Sequence, residues 1–285
     1  MDSKRILIIG ARGQLGLALA SKYPDAICVD MTELDISDRA SVEAFNWSSV
    51  DIVLNAAAYT NVDGAETNEG RVIAWKVNAT APKYLADVAL KHNLTLVHIS
   101  TDYVFDGSLS PHFEDEHFSP LSVYGSSKAA GDIAIGLAPR HYILRTSWVI
   151  GDGKNFVRTM LGLGEKGVSP KVVNDQIGRL TFTSELVKGI AHLLLTTAPY
   201  GTYNLSNEGQ PSNWADITRK IFAFGGFNLN VSDTTTEEYF HDKEGIAARP
   251  LQSVLNLDKI HSIGFISTDW ESELEKYVKK ELSER

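Results

Sequence analysis

Five short apolar runs recur over the first half of the chain: "RILIIG" (5–10), "AICVD" (26–30), "DIVLNAA" (51–57), "TLVHIS" (95–100) and "YILRTS" (142–147). Helix-length segments with periodic apolar positions separate them, for example "AWKVNATAPKYLADVALKHN" (74–93). Strands that are apolar throughout need cover on both faces, and strands separated by helices are joined by crossovers. The pattern predicts an α/β chain built on a doubly wound parallel sheet. After about residue 148 the alternation loosens, and short strands such as "KVVND" (171–175) mix with helical stretches such as "NWADITRKIFAF" (213–224). We therefore expect a sheet core over 1–150 and a smaller C-terminal α/β lobe over 151–285, with the helix "FTSELVKGIAHLLL" (182–195) packing back on the core.

At 285 residues with 43% hydrophobic and 22% charged positions, the chain has enough apolar surface for a substantial core. A net charge of −9 argues against a nucleic-acid binder, which needs clustered Lys and Arg, so an anionic ligand must be held locally. Cys28 is the single cysteine and lies in an apolar run, which reads as a buried structural thiol in a reducing compartment. The N-terminal apolar run is short and interrupted by Arg12, and no stretch approaches the length of a membrane span. The expectation is a soluble cytoplasmic protein with no membrane partner.

Ligands of open parallel sheets bind beyond the carboxyl ends of the strands. After the first strand comes Gly10-Ala11-Arg12-Gly13-Gln14-Leu15-Gly16, with glycines spaced GxxGxxG and a helix following. Such a turn brings backbone amides and a helix N-terminus to a pyrophosphate, so this reads as a Rossmann-type dinucleotide site with Gly10, Arg12, Gly13, Gln14, Leu15 and Gly16 at the cofactor. Asp30, at the end of the second strand, is placed to bond the adenosine ribose hydroxyls and favours NADH, whereas Arg12 is placed to meet a 2′-phosphate and favours NADPH. The balance leans slightly to NADPH. Asp35 in "LDISD" suits either an adenine contact or a helix cap, and Asp38 is an alternative cap. The small residues of "NAAAYT" (55–60) would let a cofactor lie against the backbone at Ala56, Ala57, Ala58 and Tyr59. "HISTDYVFDG" (98–107) places Ser100, Thr101 and Asp102 at the rim.

"YGSSK" opens a predicted helix, on which Tyr124 and Lys128 share a face. A tyrosine of ordinary pKa near 10 exchanges protons poorly at neutral pH, and a neighbouring ammonium lowers that value. Tyr124 then reads as a proton donor, Lys128 as its helper and a bond to the nicotinamide ribose, and Thr101 as the group that orients a substrate carbonyl. "YFHDK" (239–243) has the same spacing but lies amid charged residues far from the strand ends, and reads as a surface segment.

Taken together, GxxGxxG at 10–16, "NAAAYTNVDGAE" at 55–66, "STDYVFDG" at 100–107, "YGSSK" at 124–128, "RTSWV" at 145–149, "KNF" at 154–156, "NDQIGR" at 174–179, "SNEG" at 206–209 and "RPLQSVLNLDK" at 249–259 resemble the extended short-chain dehydrogenases/reductases and, within them, the dTDP-4-dehydrorhamnose reductases. The resemblance implies NAD(P)H-dependent reduction of C4 of dTDP-4-dehydro-6-deoxy-L-mannose to dTDP-L-rhamnose, with Thr101, Tyr124 and Lys128 as the catalytic set. It further implies that Asn78 supports the lysine or cofactor, that Trp148 packs on the sugar, and that Asn155, Arg179 and Arg249 contact sugar or diphosphate. The chain departs from the family in two places. Leu180 stands where a proline is usual after "GR", and Ala18 aligns with a glutamate that holds magnesium between subunits in some members. We expect no metal, and a monomer or weak homodimer.

Three rivals remain open at this point. A 4,6-dehydratase lacks its acid pair here, because Asp102 is followed by Tyr103. A 4-epimerase would use the same Tyr and Lys but matches the motifs less closely. A non-catalytic dinucleotide-binding subunit, like the regulatory subunit of methionine adenosyltransferase, would keep the fold without turnover.

Overall fold

Each of the five apolar runs forms a strand in a computed structural model of the chain, which describes residues 2–284. These are β1 (Ile6–Ile9), β2 (Ile27–Val29), β3 (Ile52–Asn55), β4 (Thr95–Thr101) and β5 (His141–Thr146). A sixth strand, Gly201–Asn204, pairs with β5. The order across the sheet is 201–204, β5, β4, β3, β1, β2, and every pair is parallel. From β1 the chain winds outward to β2 and then returns past β1 to β3. The crevice at the carboxyl ends of β1 and β3 is therefore the topological switch point where ligands bind in such sheets.

Helices α1 (Gln14–Lys22), α2 (Arg39–Ala44), α3 (Asn68–Trp75), α4 (Ala81–His92), α5 (Val123–Ile135), α6 (Phe156–Glu165), α7 (Thr183–Leu195) and α8 (Trp214–Gly225) follow in chain order, and Trp270–Ser283 closes the described chain. Alternate residues of β1 feed opposite cores, as the two-residue strand period requires. Ile6 and Ile8 pack with Leu15 and Leu19 of α1 and with Leu186 and Ile190 of α7. Leu7 and Ile9 pack with Val42 of α2, Leu85 of α4 and Ile135 of α5. Burying four such side chains from a single strand contributes about 6–12 kcal/mol of transfer free energy.

A third core joins Val157 and Leu161 of α6, Ile217 and Ile221 of α8, and Trp270, Leu274 and Val278 of the last helix. Leu180, at the family's usual proline position, is fully buried in this core. The third core draws on residues 150–182 and 214–278, while the intervening α7 and 201–204 strand pack with the sheet. The two layers interleave along the chain.

Two local expectations change. The helix expected over 74–93 is divided, because α3 ends at Trp75, a π-helical turn covers Lys76–Thr80, and α4 starts at Ala81 with Pro82 in its first turn. Proline has no N–H for the preceding turn, so the widened turn absorbs the interruption, and it carries Asn78. Cys28 is exposed rather than buried. It lies on β2, the edge strand, at the midpoint of a pattern that runs half-buried, exposed, buried, so the apolar run is covered on one face only. Among the described residues no helix is long and apolar enough to cross a membrane.

Candidate active site

The turn after β1 is shaped by Gly10, whose φ of 77° belongs to the left-handed region. A Cβ there would sit 2.8 Å from the Cα of Ala57, so no larger residue lets β1 and β3 end this close together. Gly13 caps α1 without a side-chain partner, which leaves the first amides of the helix open to an anion. The carboxylate of Asp30 accepts the amides of Arg12 (3.1 Å) and Met31 (2.9 Å), which fixes it beside the turn. The Arg12 guanidinium reaches outward to Glu33 at 2.9 Å. Asp38 accepts the first amides of α2 and so does the capping, while Asp35 turns to the Ser37 hydroxyl (2.6 Å) and amide (2.9 Å), and that hydroxyl bond holds its carboxyl below the usual range. Gly10, Asp30, Asp35, Ala57 and Tyr59 line one cavity of about 370 Å³ at the β1/β3 crevice.

A second cavity, of about 440 Å³, adjoins the first and shares Gly13, Ala56 and Ala58 with it. Thr101 and Asp102 enter its wall from the end of β4, Tyr124 and Lys128 from the first turns of α5, and Trp148 from the segment after β5. Gln14, Leu15 and Ser100 are also in this wall. Ser122 starts α5 by accepting the Gly125 amide at 3.1 Å, which puts "YGSSK" at the helix start over the sheet. Thr101 donates to Asp102 Oδ1 (2.9 Å) and accepts the Tyr103 amide (3.2 Å), and the Tyr103 ring meets Tyr124 edge-on at 5.5 Å. Trp148 has a φ of 47°, unusual for a bulky residue, and its ring stacks on Trp214 at 3.9 Å. It also lies over Gly178, where a Cβ would come within 2.8 Å of it.

The electrostatics follow from burial. Tyr124 is pushed above its ordinary pKa by burial and then by the Asp102 charge, with a bond to the Thr101 hydroxyl pulling the other way. Asp102 is itself raised to about 6 by burial. Burial lowers Lys128 to about 8, against the pull of Asp132 one turn further along α5. The Lys128 ammonium donates to the Ile99 carbonyl at 2.6 Å. Buried Asp132 pairs with Arg145 of β5 at 3.1 Å. The cavity wall therefore holds a neutral phenol beside a lysine able to gain or lose a proton near neutral pH.

Residues 4–283 match the family described as RmlD substrate binding domain. A dTDP-4-dehydrorhamnose reductase of Aggregatibacter actinomycetemcomitans is 38% identical to the chain, over 95% of this chain and 97% of its own length. The chain belongs to the dTDP-4-dehydrorhamnose reductase family. Crystal structures agree: a dTDP-4-dehydrorhamnose reductase of Clostridium acetobutylicum superposes with a TM-score of 0.90 at 36% identity, covering 98% of this chain and 99% of that one. Another, from Bacillus anthracis in complex with NADP, gives 0.89 at 35% identity, covering 97% and 99%.

Within this reductase family member, the residues singled out in the sequence divide into two groups. Those at the turn, the strand ends and the start of α5 line the two adjoining cavities, except Arg12, which reaches out to Glu33, and Gly16, where a Cβ would meet the Gly10 carbonyl and which shapes the turn without lining either cavity. Four others have partners of their own. Asn78 brackets Tyr59, accepting its amide (2.8 Å) and donating to its carbonyl (3.0 Å), and also donates to Ser127 Oγ (3.1 Å); it makes no bond to Lys128. Asn155 caps α6 and donates to the Gly151 carbonyl (2.7 Å) and the Tyr277 hydroxyl (2.8 Å). Arg249 makes two 2.8 Å bonds to Asp63. Arg179 donates to the Leu255 carbonyl and keeps a buried Nε without a partner, while its own carbonyl faces Ser147 Oγ of the cavity wall at 3.5 Å. Gln14 does more than line the wall, since its Oε1 accepts the Gly151 amide at 2.9 Å and ties the glycine turn to the C-terminal layer. Tyr239 and Lys243 of "YFHDK" pack on each other, the ammonium 3.9 Å over the ring, and both also meet the neighbouring Phe240 ring.

Sequence reasoning missed His98. It is buried on β4, with Nε2 3.4 Å from Lys128 Nζ and Nδ1 3.0 Å from Asn55 Nδ2. The available signal was a histidine flanked by Leu96, Val97 and Ile99 in β4, three residues before Thr101.

Proposed function

We propose that the chain reduces the C4 keto group of dTDP-4-dehydro-6-deoxy-L-mannose to give dTDP-L-rhamnose, using a reduced nicotinamide dinucleotide bound across the β1/β3 crevice. The observation that carries this reading is the meeting of Thr101, Tyr124 and Lys128 in one cavity that adjoins the glycine-turn cavity. The open amides at Gly13, the Asp30 carboxylate and the Ala56–Ala58 wall fit a dinucleotide. When bound, that cofactor supplies the hydride to C4.

The protein's part is orientation and proton supply. The Thr101 hydroxyl bonds the substrate carbonyl oxygen and sets its direction. Tyr124, kept as a neutral phenol by burial, gives its proton to the C4 oxygen as negative charge develops there. Lys128 in its ammonium form stabilises the phenolate that remains. Trp148, held by Trp214 and Gly178, forms the wall against the sugar. Arg179, with its buried unpartnered Nε, is the better diphosphate contact, since Arg249 is engaged by Asp63.

NADPH is the favoured cofactor. The Arg12–Glu33 pair is largely exposed, so breaking it costs little, while an arginine–phosphate bond is charge-assisted. The relative solved with NADP supports the same choice. Asp30 keeps NADH usable. Ala18, half-buried against the sheet core, lacks a metal-binding side chain, and this supports a monomer or weak homodimer.

Incubating the purified protein with the keto sugar and following nicotinamide absorbance with NADPH and with NADH in parallel tests the reading. Substrate-dependent oxidation is expected, faster with NADPH. Protein that binds a dinucleotide yet oxidises neither in the presence of the sugar would overturn the catalytic assignment in favour of a regulatory subunit or another keto sugar.

A further inference from the structure

Behind Lys128 lies a buried polar chain that the reduction scheme above does not use. Asn55 ends β3, His98 stands opposite it on β4 in register, and both are 1% exposed, so every polar atom here must find its partner within the protein. The chain begins at the Ala57 backbone N–H, which donates to Asn55 Oδ1 at 3.2 Å. A backbone amide has no acceptor form, so it fixes which end of the Asn55 side chain faces which way. Asn55 then presents its NH₂ to His98 Nδ1 at 3.0 Å. Nδ1 must carry a lone pair. Burial and the neighbouring lysine push His98 well below its ordinary pKa, so the ring is neutral and has one proton, which must lie on Nε2. Nε2 is 3.4 Å from Lys128 Nζ.

We propose that Asn55 and His98 act as positioning residues for Lys128: they fix an imidazole tautomer that turns an N–H, rather than a lone pair, toward the amine. An ammonium at Nζ keeps its bond to the Ile99 carbonyl but meets a second donor at His98, whereas a neutral amine accepts that donor. The chain thereby favours release of the Lys128 proton. Among the described residues, the charged or titratable groups near Lys128 include Tyr124 and Asp132 on α5, Asp102 after β4, and Arg145 on β5, which is paired with Asp132. Burial favours the neutral amine and Asp132 favours the ammonium, which together put proton exchange at Lys128 near pH 8; the His98 donor acts in the same direction as burial. The kinetic consequence rests on the catalytic reading of Lys128; the tautomer and the lysine titration do not.

The test is nuclear magnetic resonance on the full chain labelled with ¹⁵N-histidine and ¹³C-lysine, with His98→Gln and Lys128→Arg used to assign the two signals. In the wild type, His98 is expected in the Nε2–H form throughout pH 6–9. Asn55→Asp keeps an acceptor for the Ala57 amide but offers His98 Nδ1 an acceptor too, so the ring proton should move to Nδ1 and the Lys128 titration should rise by about one pH unit. In a His98→Phe background the same Asn55→Asp change should raise Lys128 clearly less, since only the added charge acts there, and the difference between the two shifts isolates the tautomer. The alkaline limb of kcat should move with Lys128. A wild-type Nδ1–H tautomer overturns the proposal even if the variants fail to fold, and so does a switched tautomer with an unmoved lysine. Absence of turnover beside the expected spectra would count against the reductase reading alone.

Discussion

The proton-donor role proposed for Tyr124 rests on its surroundings: burial and the nearby Asp102 keep the phenol protonated. Tyr124→Phe keeps the ring against Tyr103 and removes only the proton. We expect kcat to fall by about 10²–10⁴, the usual share of a general acid, with the dinucleotide dissociation constant nearly unchanged in a fluorescence titration. Retention of full activity would refute the donor assignment. Arg12 lies at the glycine turn, away from Tyr124, and is proposed to meet the cofactor's 2′-phosphate. Arg12→Ala is expected to lower kcat/KM for NADPH about tenfold, the loss of one charge-assisted bond of about 1.5 kcal/mol, and to leave NADH nearly untouched. Equal losses with both cofactors would show that Arg12 shapes the turn and does not read a phosphate.

At the scale of elements, the candidate site side chains cluster at strand ends and in the first two turns of α5. β4 delivers Thr101 and Asp102 together because a 3₁₀ turn begins there, and α5 delivers Tyr124 and Lys128 together because Ser122 starts the helix just before them. Asn155 shows how an element can claim a residue that resembles a ligand contact. Its side-chain oxygen caps α6 at the Arg158 amide, and its NH₂ group bridges Gly151 and Tyr277. Asn155→Ala is expected to cost about 2 kcal/mol of stability in chemical denaturation, the upper end of a cap loss, with KM for the sugar changed little. An unchanged midpoint with a raised KM would return Asn155 to the substrate.

Across the whole molecule, the sheet is completed by residues far along the chain. α7 covers the face carrying Ile6 and Ile8, and the 201–204 strand covers the open edge of β5. A chain of residues 1–150 alone would expose that apolar face and a bare strand edge, so it is expected to show no cooperative thermal transition by circular dichroism. A sharp transition would mean that the first five strands and their own helices suffice. The Gln14–Gly151 bond (2.9 Å) ties the glycine turn, and the two Arg158–Glu281 bonds (2.8 and 2.7 Å) tie α6, to the C-terminal layer.

The sequence by itself determined the alternation of strand and helix, the glycine turn, and the placing of Tyr124 and Lys128 on one helix face. These depend on spacing between near neighbours, and backbone geometry converts such spacing directly into shape. Only the tertiary structure decided which partner each polar group takes. Cys28 came out exposed because β2 lies at the sheet edge, Arg249 was drawn to an aspartate 186 positions away, and His98 met both Asn55 and Lys128 across two strands and a helix. A buried polar group must bond to whatever the packed chain places within about 3 Å of it, and one-dimensional spacing carries no record of that neighbour.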